Sequence, residues 1–193
     1  MRAIALLLAV AMAGSAAPRW EQAPSPRMRV IWEAFNERLV MQNDIWFEDG
    51  EFPRVVQLLR VLYAMTPNSY EQATNLGWML ENIERWNEAL AVYVGFRKQN
   101  AFHPEAYFPE ADFYFKRKMY TRVPPLLEPT LKMPIKPHAN SYRLLALSYE
   151  RTGLLGDAQR VWNLLIKRDP ADGAAKMNLS RVEKKLRGEQ AGK

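Results

Sequence analysis

The chain has 193 residues, 48% of them hydrophobic, with 27 Lys and Arg against 21 Asp and Glu, two His, no Cys and a formal net charge of +6. That apolar content excludes a disordered chain, and the absence of Cys excludes disulfides, thiolate metal ligands and cysteine nucleophiles. His103 and His138 are the only imidazoles, and a chain of this length buries roughly 70% of its unfolded surface in one domain without staples.

Met1 and Arg2 precede an uninterrupted apolar run, Ala3 to Ala13, which passes into Gly14-Ser15-Ala16-Ala17. A short positive start, an apolar stretch and small residues mark a secretory signal peptide, residues 1–16. Cleavage is expected after Ala16, because a cut one residue later would leave Pro18 first. As a helix, residues 3–17 would reach about 22 Å at ~1.5 Å per residue, short of the ~30 Å hydrocarbon core, so an uncleaved anchor is only the alternative expectation. The first is a periplasmic or secreted protein. Residues 17–29 contain Pro18, Pro24 and Pro26 with little periodicity, which predicts an extended Pro-rich linker.

From Val30 onward strand signals are almost absent, and segments with apolar residues three and four apart alternate with short Gly, Pro or Asn breaks, the pattern of an all-α protein. The segments also repeat. In residues 139–172, Tyr142, Leu145, Ala146, Tyr149, Ala158, Trp162 and Pro170 alternate large and small side chains over thirty-four positions. Ala146 and Ala158 let two helix backbones approach, Tyr149 and Trp162 fill the space beside that contact, Gly153 ends the first helix and Pro170 stops the second.

This unit resembles a tetratricopeptide repeat. One step back, in residues 70–104, Leu76, Gly77, Ala89 and Tyr93 match, Ala73 stands where a large residue is usual, and the closing proline is Pro104. In residues 36–69, Leu39, Trp46, Gly50 and Pro67 fit whereas Gln42, Asn43 and Val55 do not, and Pro53 suits the first turn of a second helix. Residues 105–138 have the right length, but Pro124, Pro125, Pro129 and Pro134 predict a second helix that is short, kinked or displaced. Residues 173–187 supply a polar capping helix and residues 188–193 a flexible tail, with the helical domain spanning 30–187. The resemblance implies a right-handed superhelical solenoid of about four antiparallel helix pairs plus the C-terminal cap, with the first helices lining a concave groove.

The resemblance also implies which residues face that groove: Glu37, Val40, Asp44 and Phe47; then Glu71, Thr74, Trp78 and Glu81; then Phe113 or Tyr114 with Lys116 or Arg117; then Asn140, Arg143, Leu147 and Glu150. Chaperone-binding members of the family hold a C-terminal carboxylate with a Lys and Asn pair, where this chain has Val40 and Asp44. The expected partner-binding floor is instead Trp78, Asn82, Tyr114, Arg117, Asn140 and Arg143, suited to a helical or extended peptide.

Chemistry is sparse. Phosphate-loop, His-Glu-x-x-His and Gly-x-Ser-x-Gly patterns are missing. Glu110 with Asp112 and Asp49 with Glu51 lie two apart, which points them to different helix faces and reads as solvated surface. His103 and His138 fall at successive repeat boundaries and could meet on one edge of the stack, but no third ligand accompanies them, and the scattered Met residues read as core filler. The stretch 102–120 interleaves Phe102, Tyr107, Phe108, Phe113, Tyr114, Phe115 and Tyr120 with Lys116, Arg117 and Lys118. Such a pattern can stack on nucleic acid, but export argues against that. Three consecutive aromatics cannot all face one core, so one is expected to reach the groove or a neighbouring repeat.

The reading is a non-enzymatic scaffold or adaptor of the cell envelope, without metal or cofactor, binding a peptide or protein of that compartment. The alternatives are an accessory subunit of a larger envelope enzyme complex or an unrecognised catalyst. Residues 18–104 carry 9 basic and 11 acidic side chains and residues 105–193 carry 17 and 10. That polarity suggests an oriented partner, or contact of the basic half with an anionic membrane surface.

Overall fold

The computed structural model describes residues 25–188, which leaves the expected signal peptide, most of the expected linker and all but the first residue of the expected tail outside the described residues. The described chain is all-α. Its helices are α1 (Pro26–Glu48), α2 (Phe52–Met65), α3 (Tyr70–Asn82), α4 (Trp86–Gln99), α5 (Phe108–Lys116), α6 (Val123–Leu127), α7 (Ala139–Arg151), α8 (Leu155–Arg168) and α9 (Gly173–Leu186). The chain divides after Gln42 into two units. The described part of the first is the N-terminal portion of α1, whose opening turn is Pro26 to Arg29, so the last four residues of the expected linker are helical instead. Pro26 accounts for this: a fixed φ and a missing N–H cost nothing at a helix start. No residue of α1 is buried.

In the second unit, residues 43–188, each helix from α2 to α9 packs on the next in sequence order. The repeat is written in the backbone. The first helices end at left-handed residues Gly50 (φ 75°), Glu84 (φ 60°), Lys118 (φ 59°) and Gly153 (φ 80°). At each, the following N–H reaches back to a carbonyl in the last helical turn: Glu51 to Trp46 (2.8 Å), Arg85 to Leu80 (2.8 Å), Met119 to Tyr114 (2.9 Å) and Leu154 to Tyr149 (2.9 Å). One helix cap thus recurs at almost constant spacing, satisfying carbonyls that a helix end leaves unpaired. At two of the four positions a side chain occupies a region that favours glycine.

Small residues sit where helices approach. Ala73, Ala89, Ala146 and Ala158 are fully buried, and a methyl group added to Gly77 would collide with the ring of Tyr93. Around Ala146 and Ala158 the largest core gathers Tyr142, Leu145, Tyr149, Val161, Trp162 and Leu165, then extends to Ala175 and Val182 of α9. Ala73, where a larger residue is usual, packs with Phe96 and Ala106 beneath Tyr63 and Tyr107, which occupy the volume it leaves. The third pair is irregular, as its prolines require. After α5, a 3₁₀ turn at Tyr120–Arg122, the five-residue α6 and a second 3₁₀ turn at Pro129–Lys132 replace the expected second helix. Val123 and Leu127 nevertheless reach the core.

The consecutive aromatics divide their loyalties. Phe113 is buried edge-on against Tyr93 of α4 (6.2 Å between centroids), Tyr114 packs on the larger core and Phe115 meets Tyr120 (5.2 Å). Glu110 corrects an expectation. It is buried rather than solvated, because Arg97 of α4 reaches it at 2.6 Å and supplies the opposite charge. Asp112 pairs with Lys116 on α5 (2.6 Å).

Candidate functional site

The six expected groove residues have different fates. Trp78 leaves 49% of its surface exposed and sits 6.1 Å from the ring of Phe47, which in turn meets Phe52 at 5.8 Å. Together these rings form an aromatic ledge contributed by the end of α1, the first residue of α2 and the third turn of α3. Asn82, one turn beyond Trp78, is exposed. Tyr114 is partly buried against the larger core, with the Arg122 guanidinium 6.0 Å from its ring.

Arg117 and Arg143 hold the stack together. Arg117 Nη1 donates to Glu81 Oε2 (3.0 Å) and to the carbonyl of Phe113 (3.1 Å), while its guanidinium lies 3.6 Å from the Phe113 ring centroid and 4.3 Å from that of Trp86. Glu81 also accepts the Tyr93 hydroxyl (2.8 Å), so one carboxylate joins α3, α4 and α5. Arg143 donates to Asn140 (2.7 Å) and to Asp172 (2.6 Å), whose other oxygen caps α9 by accepting the Ala175 N–H (2.9 Å). That backbone bond, then Arg143, holds the Asp172 carboxyl below its ordinary range against the opposing effect of burial. On α7, Glu150 accepts from Arg181 (2.6 Å) and Lys185 (2.7 Å) of α9, which lowers its pKa although burial works the other way.

A separate cleft of about 670 Å³ opens where α3, α5 and α7 begin. Its apolar side is Tyr70, Phe96, Ala106 and Phe108, with the Tyr70 and Phe96 rings edge to face at 6.0 Å. Burial, then the charges of Glu105 and Asp112, push the Tyr70 phenol up to about 12. The polar side is Asn68, Asn100, Asn140, His103, His138, Glu105, Lys136 and Arg168. His103 and His138 therefore do share one edge, but among the described residues no three metal-binding groups stand together. Asn140 is the expected groove residue that lines this cleft.

The loop before α7 is fixed by backbone anchors. Lys136 Nζ donates to the carbonyls of Leu131 (3.0 Å) and Met133 (2.9 Å), Arg168 donates to the carbonyl of Pro137, and Glu105 accepts the His138 N–H. The Arg168 guanidinium also lies 5.6 Å from the Tyr142 ring. His138 Nδ1 accepts the Asn140 N–H (3.3 Å) and so caps α7. Lys136, Arg168, Phe96, Phe108 and Tyr70 come to the cleft from separate segments that no local sequence pattern connects. The available signal was the spacing of Asn68, His103 and His138, each just ahead of a helix or 3₁₀ turn in its repeat.

No protein-family model and no curated protein matches the chain. Solved structures do match. A crystal structure of MamA superposes with a TM-score of 0.60 at 19% identity, covering 76% of this chain and 85% of that one. MamA from Desulfovibrio magneticus RS-1 gives 0.57 at 18% identity over 79% and 86%. YrrB, described as a TPR protein with an unusual peptide-binding site, gives 0.56 at 11% identity over 86% of each chain. At these identities the likeness is one of fold: sequentially packed helices matching tetratricopeptide-repeat solenoids.

Proposed function

We propose that the chain is a non-enzymatic scaffold or adaptor of the cell envelope that holds a segment of a partner protein on the face formed by its first helices. The observation that carries this reading is the aromatic ledge. Phe47 and Trp78 occupy successive first helices at positions that the repeat resemblance assigns to the groove, and both keep over 40% of their surface exposed. Exposed, clustered aromatic rings supply much of the energy of protein interfaces. YrrB, with the same fold, is described as having a peptide-binding site. Envelope residence draws on the signal-like residues 1–17. The accessory-subunit reading draws on α1, where Met28, Ile31, Trp32 and Phe35 are uncovered.

The test is capture from envelope extract by the full chain, compared with Trp78→Ala, Phe47→Ala and, as a control at an exposed residue of α9, Met177→Ala. One reproducible partner, lost with the first two substitutions and kept by Met177→Ala, is the expected result. Capture of nothing reproducible, or capture indifferent to Trp78 and Phe47, refutes the reading. N-terminal sequencing of the mature protein tests export, with Ala17 expected first.

A further inference from the structure

The aromatic ledge and the cleft lie toward different ends of α3. Tyr70 begins that helix and Trp78 is its ninth residue, about 12 Å further along its axis at ~1.5 Å per residue. We infer that the cleft is a second binding site, taking an extended peptide segment in which a large apolar side chain stands beside acidic ones.

Three features support that ligand chemistry. The first is the apolar floor of Tyr70, Phe96 and Phe108, in a volume suited to a few side chains rather than a folded surface. The second is charge. Glu105, the one carboxylate of the lining, is engaged by the His138 N–H, whereas Lys136 and Arg168 remain donors. Lys136 spends two N–H groups and Arg168 one on backbone carbonyls, which leaves one of three and four of five. These internal bonds hold both cations in place before a ligand arrives, so little side-chain freedom is left to lose on binding. Nδ1 of His138 is taken up by the Asn140 N–H, so Nε2 is the ring nitrogen left to meet a ligand. The third feature is amide chemistry. Asn68, Asn100 and Asn140 line the cleft; Asn100 Nδ2 donates to the Phe96 carbonyl (3.0 Å) and Asn140 Oδ1 accepts from Arg143 (2.7 Å). The Asn100 oxygen, the Asn140 amino group and the Asn68 carboxamide are therefore the groups that can pair with the N–H and C=O of an extended backbone. Phosphate-rich ligands fit less well, because the lining holds only two permanent cations and the sequence has no glycine-rich phosphate loop.

Fluorescence anisotropy with the full chain and a labelled, end-capped eight-residue peptide containing Phe-Asp-Glu tests this. Its Asn-Gln twin, a twin with Ser for Phe, and a single-stranded oligonucleotide serve as comparisons. The acidic peptide should bind about fivefold or more tighter than the Asn-Gln twin, an advantage that shrinks with added salt. Lys136→Gln and Arg168→Gln should each remove most of that advantage, Phe108→Ala should weaken both twins alike, and Trp78→Ala should change nothing. Arg168 anchors the loop, so melting curves accompany its variant and Lys136→Gln provides an independent reading. Equal binding of the acidic and amide twins overturns the proposal, as does an advantage that survives both cation variants. Undiminished binding of the Ser twin, or displacement by inorganic phosphate alone, would reduce the cleft to an anion site and overturn the peptide assignment. So would preferential binding of the oligonucleotide. Loss of partner capture on Trp78→Ala with none of these effects would leave the proposed function standing and this inference refuted.

Discussion

Gly77→Ala gives the sharpest test of how the helices are held. Its added methyl would lie 2.6 Å from the Tyr93 hydroxyl oxygen and closer still to the Cε1 and Cζ atoms of that ring. Tyr93 has nowhere to go, since it is 4% exposed, packs edge-on to Phe113 at 6.2 Å and donates to Glu81 at 2.8 Å. Overpacking of this kind costs about 1–3 kcal/mol, and displacing a hydroxyl from its carboxylate about 1.5–3 kcal/mol. The exchange of Gly for Ala inside a helix returns about 1 kcal/mol. The net is destabilisation of about 1.5–5 kcal/mol, or roughly 3–20 °C in melting temperature for a chain of this size. Circular dichroism melts and urea titrations measure it. In a Tyr93→Leu background the clash is gone, and the same substitution should become neutral or stabilising by up to about 1 kcal/mol. A Gly77→Ala chain that melts at or above the wild-type temperature would refute the close-approach argument, because helix propensity alone predicts that sign.

Other expectations follow from the same contacts. Lys118→Gly and Glu84→Gly relieve left-handed side-chain strain and should each stabilise by about 0.5–1 kcal/mol in urea titrations, whereas the same change at exposed helical Lys176 should destabilise. Tyr70 and Tyr149, both pushed up to about 12 mainly by burial, and Tyr93, raised by burial and Glu81, should ionise late in an ultraviolet titration. Folded pKa values above the ordinary tyrosine range mean that the folded state holds more protons there, so this stabilisation is intact below about pH 10 and disappears as pH climbs toward 12. Asp172→Ala removes the cap of α9 and frees Arg143, and should cost about 1–2 kcal/mol, with hydrogen exchange faster in α9 than in α3. Because the Asp172 carboxyl is held low, its contribution is present above about pH 4 and fades as pH falls through the lowered value, so the wild-type and variant stabilities should converge in acid.

How far the sequence could be read depended on where the information lay. Residues 139–172 were legible because the helix contact is made by residue size: Ala146, Ala158 and Trp162 are fully buried as their spacing demanded. The caps at Glu84 and Lys118 were not, since glycine is the usual marker and neither residue is one. Prolines signalled the irregular third pair correctly, yet Pro26 read as linker when it begins a helix. Arg117 and Arg143 looked available for a partner because their carboxylates, Glu81 and Asp172, lie 36 and 29 residues away in sequence. Glu110 misled in the same way, its Arg97 being on another helix. The cleft draws on α3, α4, α5, α7, α8 and the loop ahead of α7, and only the recurring boundary residues hinted at it.

The segment from Val123 to Pro137 has few regular helical hydrogen bonds, but five of its fifteen residues are prolines. Each proline has its φ angle fixed before folding begins, so the unfolded ensemble of this stretch is already narrow and ordering it sacrifices less backbone freedom than an equal length of ordinary chain. The link acts as a stiff bracket rather than a slack tether. Its prolines limit the paths the chain can take from α6 to α7, and the carbonyls of Leu131 and Met133 within it hold Lys136 at the cleft.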